Sequence, residues 1–193
     1  YGIRISHQGC QFESKTSLIA KNSSGGVYLS SDSFLRPKHL THCTIVDNTG
    51  PGIYFIGCKL DINSSIVAFN RRGVTCGNSA TSELGIQYSN LYNPGWSNVS
   101  GITYNLNDDG NVLSDPLFVN RTVNDYNLAA NSPAIDSSWS AGTETDILSR
   151  SLYDDKGVAN TGRGGCWFGD MGAYERQEDS YSVDLAASHI FSL

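Results

Sequence analysis

Two clusters of basic side chains stand out in the first half of this chain. Arg36, Lys38 and His39, with His42 close behind, lie in its longest spacer segment, and Arg71-Arg72 follow Asn70 directly. Guanidinium and ammonium groups gathered in this way suit anionic polymers, so both clusters are candidate contacts for acidic polysaccharide. The competing reading is a set of solvated loop charges. The four histidines are scattered, and none has a recurring Asp or Ser partner that would suggest a nucleophilic triad. The loop Asn105-Leu-Asn-Asp-Asp-Gly110 partly fits an oxygen-rich calcium loop, with Asn105, Asn107 and Asp109 as ligands. Asn stands where such loops begin with Asp, and Pro116 occupies the position of the last ligand, so an ordinary turn competes. No other cofactor is indicated. Glycosylation sequons occur at Asn22, Asn63, Asn98 and Asn120, in a composition where chance sequons are expected.

The composition narrows what can carry these groups. The chain has 193 residues, a net charge of −6, 26 Ser, 20 Gly, 16 Asn and one Met. So many turn formers suit frequent tight corners and a mostly β protein. The first 105 residues hold 8 Lys/Arg against 5 Asp/Glu, and the remainder 5 against 14, which separates two differently built halves. No strongly basic face suggests nucleic acid, and no apolar run is long enough for a membrane span. The five cysteines include no CxxC pair, which disfavours zinc. A disulfide or two would be natural in a secreted protein, and Cys43 reads as a small buried hydrophobe.

The first half repeats. Ile19-Ala-Lys-Asn22, Ile45-Val-Asp-Asn48, Val67-Ala-Phe-Asn70 and Asn90-Leu-Tyr-Asn93 each end in Asn. A few residues later comes Gly followed by a β-branched residue, in Gly26-Val, Gly52-Ile, Gly73-Val and Gly101-Ile, and Gly2-Ile fits one period earlier. A third short apolar element, at Leu40, Ile62 or Ile86, completes the period. Three short strands per period predict a right-handed parallel β-helix of four to five coils. Asn22, Asn48, Asn70 and Asn93 should then form a ladder at one corner, where Asn tolerates the left-handed backbone a corner needs. Val27, Ile53, Val74 and Ile102 should stack in one strand column.

Beyond residue 105 the repeat is lost, and the motifs Asp115-Pro-Leu-Phe, Asp125-Tyr-Asn-Leu, Asn131-Ser-Pro-Ala-Ile-Asp136 and Gly169-Asp-Met-Gly-Ala-Tyr-Glu175 follow. In this order, behind such a repeat, they resemble the C-terminal part of secreted β-helix proteins with a choice-of-anchor Q-like domain, in the pectate-lyase-like superfold. Two stretches depart from that pattern: Thr145–Leu152 and the insertion Thr161–Phe168. Repeat and resemblance together imply an all-β fold, with a β-helix over 1–105 and an irregular module capping it over 106–179; the alternation after the family motifs end adds a tail strand over 180–193. Asp136, Asp170 and Glu175, at motif positions, should cap backbone amides.

Enzymes of that superfold include polysaccharide lyases, which need a cation and a base beside a uronate, and inverting hydrolases, which use Asp residues on adjacent coils. Asp32, Asp47 and Asp61 fall at different phases of the repeat, so no converging acid set is expected. The expected function is a non-catalytic extracellular or cell-surface protein with a structural or assembly role and possible glycan contact. The alternative is the C-terminal part of a polysaccharide lyase or other glycan-degrading enzyme whose catalytic coils lie upstream. Tyr1-Gly-Ile-Arg-Ile reads as a strand already inside a coil, which implies either more chain before it or another chain covering that end. The alternating tail Tyr181–Leu193 should dock on its own helix or on the open first coil of a neighbour.

Overall fold

A computed structural model describes residues 1–6, 11–31 and 36–177. The tail at 181–193, Asp32 and Cys10 lie outside these residues. The first half is a right-handed parallel β-helix with three faces. Strands β1 (Ile3–Ser6), β4 (Val27–Ser30), β7 (Pro51–Ile56), β10 (Arg72–Cys76) and β13 (Val99–Ser100) form the first sheet. The second holds β2 (Phe12–Lys15), β5 (Lys38–Thr41), β8 (Lys59–Asn63) and β11 (Glu83–Gln87), and the third β3 (Leu18–Ala20), β6 (Thr44–Val46), β9 (Ile66–Ala68) and β12 (Asn90–Tyr92). Every pairing within these sheets is parallel, each strand joining its counterpart one coil away. Alternation along the strands sends Leu29, Leu40, Ile45, Phe55, Ile62 and Val74 into a shared, fully buried core.

The four asparagines form the expected ladder. Asn48 Oδ1 accepts from both the backbone N–H and the side-chain amide of Asn22, at 2.9 Å each. Asn70 does the same for Asn48, at 3.1 and 2.8 Å, and Asn93 for Asn70, at 2.9 and 3.3 Å. Their backbone role differs from expectation. The left-handed conformation falls on the preceding residues Lys21, Asp47 and Phe69, with φ of 57°, 56° and 55°, so these asparagines are there for their amides.

The expected strand column holds for Val27, Ile53 and Val74, with Ile3 ahead of them, but Val99 and not Ile102 completes it. In that register Asn98 stands opposite Gly73. Its Oδ1 accepts the Asn93 N–H and side-chain amide at 3.0 Å each, closing the ladder from within the last coil. Gly101 is instead a turn at φ 77°.

A second corner carries another ladder. The Cys43 N–H donates to Ser65 Oγ, the Ser65 N–H to Ser89 Oγ, and the Ser89 N–H to Asn111 Oδ1, each at 3.1 Å. Cys43 is therefore more than a small apolar filler. Its thiol donates to the Ser14 and Thr41 carbonyls at 3.4 Å, as the serine hydroxyls do to neighbouring carbonyls. Cys43, Cys58, Cys76 and Cys166 are free thiols.

The second half does two jobs. Ile102, Tyr104 and Leu106 pack on the exposed core of the last coil, and the Tyr104 hydroxyl takes the Ile86 N–H at 2.7 Å and donates to its carbonyl at 3.0 Å. The cap is thus a short segment. The rest of the expected capping module, including the antiparallel pair β14 (Phe118–Asn120) and β15 (Asp125–Leu128), lies along the third sheet. Ile66 and Ala68 meet Leu128, Ala134, Ile135 and Met171 there, which explains why β6 and β9 are buried on both faces. Contact is close at Gly172 (φ 96°), where a Cβ would lie 2.7 Å from Thr44 Oγ1. β16 (Trp139–Ser140) pairs in parallel with β17 (Arg163–Gly164). No helix among the described residues is long and apolar enough to cross a membrane.

Candidate functional site

The fold places candidate residues in two surface grooves on different flanks. The first, of about 400 Å³, lies over the asparagine corner. The Asn70 ladder position fixes the turn that follows it, so Arg71 projects outward, and its guanidinium sits 5.2 Å from the ring centre of half-exposed Trp96. Arg121 reaches in from the second half, stacks on Phe69 and pairs with Asp47. Asp47 also accepts from the Tyr126 hydroxyl at 3.0 Å, and burial together with that carboxylate pushes the Tyr126 phenol well up. Arg72 is exposed at the start of β10. Arg121 is matched by Asp47, and Arg71 pairs with no acid among the described residues, so the groove offers surplus positive charge beside an indole face.

The second groove, of about 450 Å³, runs over the outward face of the β2–β5–β8–β11 sheet. Parallel pairing puts Glu13, His39, Asp61 and Gly85 in one register column and Lys15, Thr41, Asn63 and Gln87 in the next. Glu13 pairs with Lys15 at 3.0 Å, and His39 Nδ1 lies 3.7 Å from Asp61. Trp139 stands half-exposed at the rim, its main chain pinned by Ser64, whose hydroxyl accepts its N–H at 3.0 Å and donates to its carbonyl at 2.8 Å. Glu144 caps its own loop by accepting from the Ser140 hydroxyl and the Ala141, Gly142 and Thr143 N–H groups. Burial works against its charge, but these donors prevail and hold the carboxyl down at about 2. His42, 6% exposed, lines the groove too, and burial lowers the pKa of its ring.

The basic residues expected together are separated. Lys38 points inward in register with Phe12 and Leu60, fully buried, its ammonium 3.2 Å from the Arg36 carbonyl. Arg36 is exposed, and His39 turns out into the second groove. Asp47 and Asp61 lie on different faces, as their phases predict. In the candidate calcium loop, Asn105 bonds Asp108 and the Asn107 N–H, while Asp109 takes a left-handed turn position. Among the described residues no group of three metal-ligating side chains comes together. Of the sequon residues, Asn22 and Asn98 have amides engaged in the ladder, Asn63 faces the second groove, and Asn120 is exposed and caps the Thr122 N–H at 3.1 Å.

The motif acids hold the second half together. Asp170 accepts the Asp136 and Arg176 N–H groups at 2.9 and 2.7 Å, and Glu175 those of Tyr153 and Asp170 at 2.8 and 3.0 Å. Both are buried, which raises their affinity for protons. Asp136 keeps only a weak capping contact, from the Asp155 backbone N–H. It is fully buried, and burial outweighs that contact and pushes its pKa up to about 7.

Trp96, Arg121, Trp139 and the Thr41–Asn63–Gln87 column were not singled out by the sequence. Only the last carries a signal there, a polar residue recurring just before each second corner. Comparison with protein-family models, curated proteins and solved structures returns no match.

Proposed function

We propose that this chain is a non-catalytic extracellular or cell-surface β-solenoid, of the pectate-lyase-like kind with a choice-of-anchor Q-like second half, that contacts acidic polysaccharide. The observation that carries the reading is Arg71 stacked on half-exposed Trp96, with Arg121 in the same groove and exposed Arg72 next in the chain. A guanidinium held on an indole offers charge to a carboxylate and an apolar face to a sugar ring. The rigid coils beneath fix the spacing of both, which suits a structural surface contact.

Binding to polygalacturonate, alginate and a glycosaminoglycan, measured by calorimetry, tests this. Affinity should fall as salt is raised over the ~100 mM range. The double variant Arg71→Ala/Arg72→Ala, and separately Trp96→Ala, should remove most of it, whereas replacing exposed Arg36 and His39 should matter less. Salt-independent binding, or unchanged binding in both variants, would overturn the reading. Release of unsaturated ends absorbing in the near ultraviolet would favour a polysaccharide lyase instead.

A further inference from the structure

We propose that the outward face of the β2–β5–β8–β11 sheet is a second, separate site that binds an uncharged linear glycan lying along the solenoid axis, about one sugar ring per coil. This does not rest on the acidic-glycan reading, because it uses a different groove with different chemistry.

The charge in this groove is already spoken for. Glu13 is paired with Lys15, Asp61 faces His39, and Glu144 is saturated by donors from its own loop. Lys15 is the groove's one lysine or arginine among the described residues and stands beside Glu13, with Glu144 adding negative charge, so an anionic ligand finds no surplus of positive charge here. The uncharged groups are in the opposite condition. Thr41, Asn63 and Gln87 project into the groove, and among the described residues their side chains form no hydrogen bond with the protein. Two carboxamides and a hydroxyl offer both donors and acceptors, as vicinal sugar hydroxyls require.

Their spacing fits a chain of sugars. Register pairing places Thr41, Asn63 and Gln87 on successive coils, and strands stack about 4.8 Å apart, close to the length of one pyranose along an extended glycan. A ligand parallel to the axis therefore meets an equivalent polar group at each ring. Trp139 adds the apolar half of sugar recognition, with its ring half-exposed at the rim and its backbone locked onto Ser64, beside Asn63. The sheet beneath is hydrogen-bonded on every coil, so little ordering is needed on binding.

The test is calorimetry of the whole chain with uncharged cello-, xylo- and malto-oligosaccharides of increasing length. Affinity in at least one series should rise with each added ring and level off at about three, when each coil that presents a free polar group, at Thr41, Asn63 or Gln87, is occupied. It should be unaffected by salt and by Arg71→Ala, which separates it from the acidic-glycan site. Trp139→Ala, and the double variant Asn63→Ala/Gln87→Ala, should each weaken it by about tenfold or more. Both variants change outward-facing side chains, and an unchanged circular dichroism spectrum establishes that the fold is kept. No binding in any series, affinity that does not grow with length, or binding that survives both variants overturns the proposal.

Discussion

Gly52 lies so close to Asn70 that a Cβ at that glycine would sit 2.8 Å from the asparagine amide nitrogen. The same relationship joins Gly2 to Asn22, Gly26 to Asn48 and Gly73 to Asn93, at 2.7, 3.1 and 2.8 Å. Glycine and asparagine recur at one period because they are two halves of one packing unit. The missing side chain makes room for the amide ladder.

Asn70→Ala should cost about 1–3 kcal/mol, because it leaves the buried Asn48 N–H without its acceptor and takes the Asn70 amide away from the Ile45 and Ala68 carbonyls. Gly52→Ala should destabilise by a similar amount through the clash, although it removes no hydrogen bond. Urea unfolding of both variants and of the pair checks this. In the Asn70→Ala background the added methyl at 52 should cost less, and strict additivity would show that the two sites are not coupled.

Ile53 is fully buried between Val27 and Val74 in the first sheet. Ile53→Asp places an unpaired carboxylate in that apolar column, a cost of several kcal/mol. The variant should fail to fold, as read by loss of the β circular dichroism signal and of soluble protein. A soluble, folded Ile53→Asp chain would show that the strand faces the other way.

Cys43 occupies a ladder position that Ser65 and Ser89 fill on the next coils. Cys43→Ser should therefore change stability by less than about 1 kcal/mol, since a hydroxyl reproduces the thiol's bonds to the Ser14 and Thr41 carbonyls. Cys43→Val, closer to the thiol in apolarity, should cost more, because it takes a donor away from the Ser14 and Thr41 carbonyls, the latter keeping the Thr16 N–H. Thermal melts rank the two, and a higher melting temperature for Cys43→Val would make Cys43 a plain core residue.

The solenoid was legible in the sequence because its rule is local and repeats. Each coil restates the same Asn and Gly, and each error would disrupt two neighbours. The last coil was misread at Ile102 for a related reason. With no further coil to supply an asparagine, Asn98 takes the glycine position and turns its own amide back onto Asn93. The pattern stops where its cause stops, while Gly101-Ile102 imitates it. The grooves were less visible. Arg121 meets Asp47 across 74 residues, and Trp139 is set by Ser64 from 75 residues away. Such contacts depend on how the second half lies along the third sheet, which no periodicity records. Lys38 was misplaced because an inward lysine breaks the polar-out rule that the rest of β5 obeys.

Asp136 gives the second half a pH dependence whose direction can be worked out. Its carboxyl has an ordinary pKa near 4 in the unfolded chain and about 7 when folded, because burial disfavours its charge and outweighs the Asp155 backbone N–H beside it. The folded state thus holds the proton more tightly, and the contribution to stability is greatest at and below about pH 4. It declines as pH rises to about 7 and changes no further above that. Asp170 and Glu175, also raised by burial, act in the same direction. His42, lowered by burial, acts the other way over this range, but three raised carboxyls outweigh one histidine, so the protein should melt at a lower temperature at pH 8 than at pH 5. Asp136→Asn keeps the shape and removes the titration, so it should raise the melting temperature at pH 8 more than at pH 5 and narrow the gap between them. Part of the gap should survive, because Asp170 and Glu175 still titrate. Scanning calorimetry of the parent and the Asp136→Asn variant across that range decides it. If the variant kept the parent's full pH dependence, Asp136 would not be taking up a proton on folding.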